Sequence, residues 1–149
     1  MKKANLRAAI SIMQRAALHN CISMTSYQRG RGDRHEDEAT ATTEAELHAC
    51  GNTACFAGYV ALSPEWAAAG NTISTHGEPV LGGQAADESS AYEVIAEWLG
   101  ISHALARGLV LGSRAWALND VAFYDVPFTE VKAEDVIDKL ERILSGELV

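Results

Sequence analysis

His48-Ala49-Cys50-Gly51-Asn52-Thr53-Ala54-Cys55-Phe56-Ala57-Gly58-Tyr59-Val60-Ala61-Leu62-Ser63-Pro64-Glu65-Trp66 is the stretch on which the fold turns. It carries two of the three cysteines and the longest uncharged apolar run, Ala54 to Leu62. Asn52 or Thr53, just after Gly51, offers a side-chain oxygen to an early backbone N–H, so a helix is expected from there to about Leu62. Gly58 inside that helix costs about 1 kcal/mol relative to alanine, a cost that a close helix crossing would offset. Ser63-Pro64-Glu65-Trp66 then restarts a helix, with serine as N-cap, proline at the first helical position and an acid near the positive end. Gly70-Asn71 stops it. The stretch therefore reads as a packing hub laid against the terminal helices, with Cys55 pointing into the core as a small hydrophobe.

Upstream, Leu6, Ile10, Met13 and Ala17 recur at helical spacing and predict a helix over about Lys3 to Leu18, with His19-Asn20 at its C-terminal end. Cys21 to Tyr27 alternates weakly and suggests a short extended segment. Gln28 to Thr43 packs Arg29, Arg31 and Arg34 against Glu36, Asp37 and Glu38 with little apolar content, which predicts a mobile surface loop. Its Arg31-Gly32-Asp33 matches an adhesion tripeptide by chance. Thr43-x-x-Glu46 has the form of a capping box and would close the loop with a short helical turn.

Downstream, Asn71 to Asp87 is rich in turn residues, and only Thr72-Ile73 and Val80-Leu81 look able to pair as strands. Ser90-x-x-Glu93 is a second capping box, opening a helix whose apolar face is Ala91, Val94, Ile95, Trp98 and Leu99, ended by Gly100. Ser102 caps a further helix that ends near Gly112. Ser113 to Phe128 is aromatic and mixed, with Asn119-Asp120 as a turn signal. The last helix is expected over about Lys132 to Ser145, closed by Gly146. The fold class is thus mostly α: one compact domain over residues 1–149, of about five to six helices with one or two short strands or extended segments, an α+β arrangement being the alternative.

At 149 residues the chain has the size of one domain, and its apolar content of 48% and charged content of 21% are those of a globular protein. The apolar run is far shorter than the roughly 20 residues that span a bilayer, and Met1-Lys2-Lys3 has no apolar segment behind it, so neither a membrane span nor a signal peptide is expected. The expected location is the cytoplasm, where three cysteines stay reduced. A formal charge of −8 disfavours direct nucleic-acid binding and suits a basic protein partner as well as solubility.

Chemistry concentrates in His48-x-Cys50-x4-Cys55. Thiolate and imidazole are zinc ligands, with Cys21 or His19 as a further donor, but the spacing is not that of a zinc finger. A cysteine at a helix N-terminus with His48 as base is the nucleophile version of the same cluster. Gly51-Asn52-Thr53 at a helix start could hold an anion. The favoured reading is buried thiols and a plain cap, with no metal and no cofactor. The binding residues expected if the region works at all are His48, Cys50, Gly51, Asn52, Thr53 and Cys55, joined by Asn119 and Asp120.

Cys50-Gly51-Asn52-Thr53-Ala54-Cys55-Phe56-Ala57-Gly58 resembles a family of small bacteriophage and bacterial proteins that share a C-G-T-x-x-C-x-A-G-like core, with Gly51-Asn52-Thr53 here in place of Gly-Thr. The resemblance extends to Ile22-Ser23-Met24, to Ala96 through Ser102 and to Ala133 through Ile137. It implies phage or prophage company and carries over no catalytic residue. The function expected is that of a non-enzymatic phage accessory protein that binds a host macromolecule in the host cytoplasm, a defence-system inhibitor being one form. The alternatives are a small enzyme or ligand- or metal-binding protein using the His48–Cys55 region, and a virion component.

Overall fold

The computed structural model describes residues 1–19, 22, 41, 43–50, 54–85, 88–112 and 122–149. The extended segment at 21–27 (Ile22 apart), nearly all of the loop at 28–43, the caps Asn52 and Thr53, and the Asn119-Asp120 turn lie outside the described residues.

The described residues form a mostly helical single domain: α1 (Lys3–His19), α2 (Glu44–Cys50), α3 (Phe56–Leu62), α4 (Pro64–Ala68), β1 (Thr72–Ile73), β2 (Pro79–Val80), α5 (Ala91–Leu99), α6 (His103–Leu111) and α7 (Ala133–Ser145), with a 3-10 turn at Phe128–Glu130. The helix count exceeds the sequence expectation because the short α2 and α4 are both complete helices. β1 and β2 pair antiparallel, Thr72 opposite Val80 and Ile73 opposite Pro79, one residue earlier on the second strand than its apolar pattern suggests.

At the centre lies α3, every residue of which is buried, Gly58 included. It packs on α1, α4, α5, α6 and both strands. The hub expectation holds for the N-terminal helix, whereas α7 reaches the core chiefly through α1. That double duty explains why α1 buries more than one stripe: Leu6, Ile10 and Met13 are joined by Ala9, Ile12 and Ala16. A helix pressed between neighbours on two sides needs a wider apolar arc than a surface helix.

The helix α3 begins later than its sequence suggests. Cys55, with extended backbone, is its N-cap, and the Cys55 Sγ accepts from the Gly58 N–H at 3.5 Å. Ala54 just before it forms a parallel bridge with Ile22. That pairing draws the backbone at Ala54 into extended form and moves the cap past Thr53. Ser63 then ends α3 and caps α4, its Oγ accepting from the Trp66 N–H at 3.2 Å while donating to the Val60 carbonyl at 2.7 Å.

The start of α1 is tied to the end of α5. The Lys2 N–H donates to the Leu99 carbonyl at 2.8 Å, and Asn5 Nδ2 to the Trp98 carbonyl at 2.7 Å. In α6, Gly108 lies so close to the Phe123 ring that a Cβ there would enter the ring itself. Phe123 and Tyr124 meet edge to face at 5.2 Å, and the Tyr124 hydroxyl donates to the Leu109 carbonyl at 3.0 Å. These aromatics clamp α6 to the segment that leads into α7.

Candidate functional site: an apolar cleft with a charged end

A cleft of about 580 Å³ opens between the C-terminal end of α1, α2, the α3–α4 corner and β1. Its apolar wall comes from Ala61, Leu62, Pro64, Trp66, Ala67 and Ile73, and its polar end from Arg15, Thr43, Glu44 and His48. The α3–α4 corner exists because Ser63-Pro64 ends one helix and begins the next without a loop. Trp66 is held from behind: its Nε1 donates to the Thr72 carbonyl at 2.7 Å, and Trp98 meets it edge-on at 5.4 Å. These contacts tie Trp66 of α4 to β1 and α5.

Arg15 organises the polar end. Its Nε and Nη2 donate to the two Glu44 oxygens at 2.6 and 3.0 Å, and its Nη1 and Nη2 to the two Glu65 oxygens at 2.9 and 2.8 Å. A planar guanidinium is suited to this double fork in a way a lysine is not. The bonds from Glu44 and Glu65 outweigh desolvation and raise the Arg15 pKa above its ordinary value. For Glu65, burial opposes the charge, yet the Arg15 bonds prevail and hold its carboxyl below the usual range. Glu44 is buried, while Arg15 and Glu65 are about a third exposed at the side chain. Two carboxylates on one guanidinium leave a negative charge in excess.

His48 stands beside this group. Its ring stacks on His19 with centroids 3.7 Å apart, and its Nε2 lies 3.2 Å from the Tyr59 hydroxyl. Desolvation first, then the nearby His19 and Arg15, lower its pKa despite the opposing pull of Glu44. The ring is therefore neutral at neutral pH. Arg15 and His19 are four residues apart on α1, as are Glu44 and His48 on α2, and Arg15 meets Glu44 just as His19 meets His48. Each helix thus presents one i, i+4 pair to the other.

The structure divides the residues that the sequence grouped together. His48 belongs to the cleft. Cys55 is buried under α3, and burial pushes its thiol up to about 11. Enclosed and with its pKa raised, the thiol has little of the thiolate character that a nucleophile needs. The Cys50 side chain and Gly51, Asn52, Thr53, Asn119 and Asp120 lie outside the described residues. Among the described residues, no group of three or more His, Cys, Asp and Glu side chains could hold a metal ion. No described helix is long and apolar enough to cross a membrane.

Arg15, Glu44, Tyr59 and Glu65 were missed by sequence reasoning, which named His19 only as a further metal donor. The paired spacings Arg15-x3-His19 and Glu44-x3-His48 were the available signal. For Glu65 the local sequence signals only a helix-dipole partner. No protein-family model, curated protein or solved structure matches the chain.

Proposed function

We propose that this protein is a non-catalytic binding protein whose working surface is the α1–α4 cleft. The observation that carries this reading is the combination of a mainly apolar wall braced by Trp66 with a few convergent polar groups at one end. Small-molecule sites have this composition and a volume of roughly 300–1,000 Å³. The enclosed, protonated Cys55 thiol supports binding over thiol chemistry.

Ala67 is exposed and lines the cleft, so Ala67→Phe fills the space from the solvent side with little disturbance to the core. Calorimetric titration with 1-hexanol should give saturable binding to the native protein and at least a tenfold weaker signal in Ala67→Phe. Equal binding by the two proteins places the ligand elsewhere and removes this reading.

A second reading is favoured by the Cys50–Gly58 resemblance and the net charge of −8: a phage or prophage accessory protein acting in the host cytoplasm on a host protein, such as a defence component. In that setting the cleft receives an apolar side chain of the partner. Affinity purification from host lysate should recover one stoichiometric partner with the native chain and lose it with Ala67→Phe. Abundant copies in purified virions would instead support a particle component.

A further inference from the structure

We infer that the cleft selects ligands with an apolar body and a cationic head, an alkyl ammonium being the simplest form. The inference rests on the cleft reading above and adds the sign of charge at its polar end. Four Arg15 N–H bonds are committed to Glu44 and Glu65, so the guanidinium is already neutralised and, among the described residues, one carboxylate charge is left over. Glu44 is buried at the cleft wall, where a charge is screened far less than on open surface. His48, one turn further along α2 and also lining the cleft, is neutral at neutral pH and contributes no positive field. An ammonium entering this end gains attraction from the surplus negative charge and can donate to carboxylate lone pairs that Arg15 leaves open. A carboxylate would meet like charge and would have to displace Glu44 or Glu65 from Arg15. The apolar wall from Leu62 to Ile73 takes the alkyl body in either case, so the head group alone decides the order of affinity.

The test is calorimetric titration of the intact protein at neutral pH with hexylammonium, 1-hexanol and hexanoate. The expected order is hexylammonium tightest by about tenfold, which corresponds to about 1.4 kcal/mol, then 1-hexanol, then hexanoate. The hexylammonium advantage should shrink as salt rises and should largely vanish in Glu65→Gln, which keeps the shape and one Arg15 bond. Loss of hexylammonium preference with 1-hexanol still bound, or a preference for hexanoate, overturns the charge inference and leaves the cleft reading standing. Failure of all three probes to bind removes both. An unchanged preference in Glu65→Gln also overturns the charge inference, because the surplus charge is then not its source.

Discussion

His48 is held between the His19 ring, the Tyr59 hydroxyl and the Arg15–Glu44 pair, and this makes the cleft sensitive to acid. Its folded pKa lies below the ordinary 6.5. On acidification through 6.5 the unfolded chain accepts a proton that the folded chain refuses, so stability falls as pH drops from neutral and the loss is complete once the folded value is passed. Glu65 acts at lower pH. Its carboxyl is depressed in the fold, so its contribution is intact above the ordinary 4.5 and is lost as pH falls through the folded value. Urea melts across pH 7.5 to 5 should therefore show decreasing stability with acid, and His48→Gln should flatten that part of the curve. A His48→Gln profile as steep as the native one would show that other groups carry it.

Cys55 makes the complementary point at the same scale. Its sequence position invites chemistry, whereas its surroundings work against it: the sulfur accepts one N–H bond as the α3 cap, and burial raises its pKa to about 11. Whether a cysteine is reactive depends on solvation and neighbouring charge, which no spacing along the chain reveals.

At the scale of elements, the α5 and α6 boundaries follow directly from local chemistry. Ser90 and Glu93 bond reciprocally as a capping box, Ser102 caps α6 from its hydroxyl, and Gly100 and Gly112 end the two helices in the left-handed conformation. Such signals act within one turn, so the sequence shows them. The reverse holds for the α6 face at Gly108, where glycine marks a close approach by Phe123 fifteen residues later. Gly108→Ala would improve helix propensity by about 1 kcal/mol, yet it forces the Phe123 ring aside and should be destabilising overall, by about 1–3 kcal/mol. Chemical denaturation measures the balance. If Gly108→Ala proves more stable than the native protein, the ring is free to move and the clamp is not tight.

The whole molecule is a set of helices gathered around one short, wholly enclosed helix. Since α3 touches α1, α4, α5, α6 and both strands, a volume change there is felt on all sides. Interiors packed to crystal density accept added methylenes poorly. Gly58→Leu should therefore cost on the order of 1–3 kcal/mol or more, read as a lowered denaturation midpoint. It should also disturb the cleft, whose corner is the end of α3. A fully stable Gly58→Leu protein would mean that α3 is not closely crossed at that point.

Much of this architecture was open to sequence reading: α1 from its heptad-like spacing, the Ser63-Pro64 restart, both strands to within a residue, and the stops at Gly100, Gly112 and Gly146. These depend on contacts within a few residues, where hydrogen-bond geometry and side-chain shape act without knowledge of the rest of the chain. The start of α3 was misplaced because a partner distant in sequence, Ile22 against Ala54, sets it. The cleft was not legible for the same reason. Arg15 meets Glu44 and Glu65 from 29 and 50 residues away, and an ion pair formed across such distances exists only once α1, α2 and α4 have packed. By itself the sequence determined which segments are helical and which residues are apolar enough to bury. Tertiary packing decided which charges neutralise one another, which thiol is shut from water and which apolar wall is left open, because each depends on what the fold brings alongside.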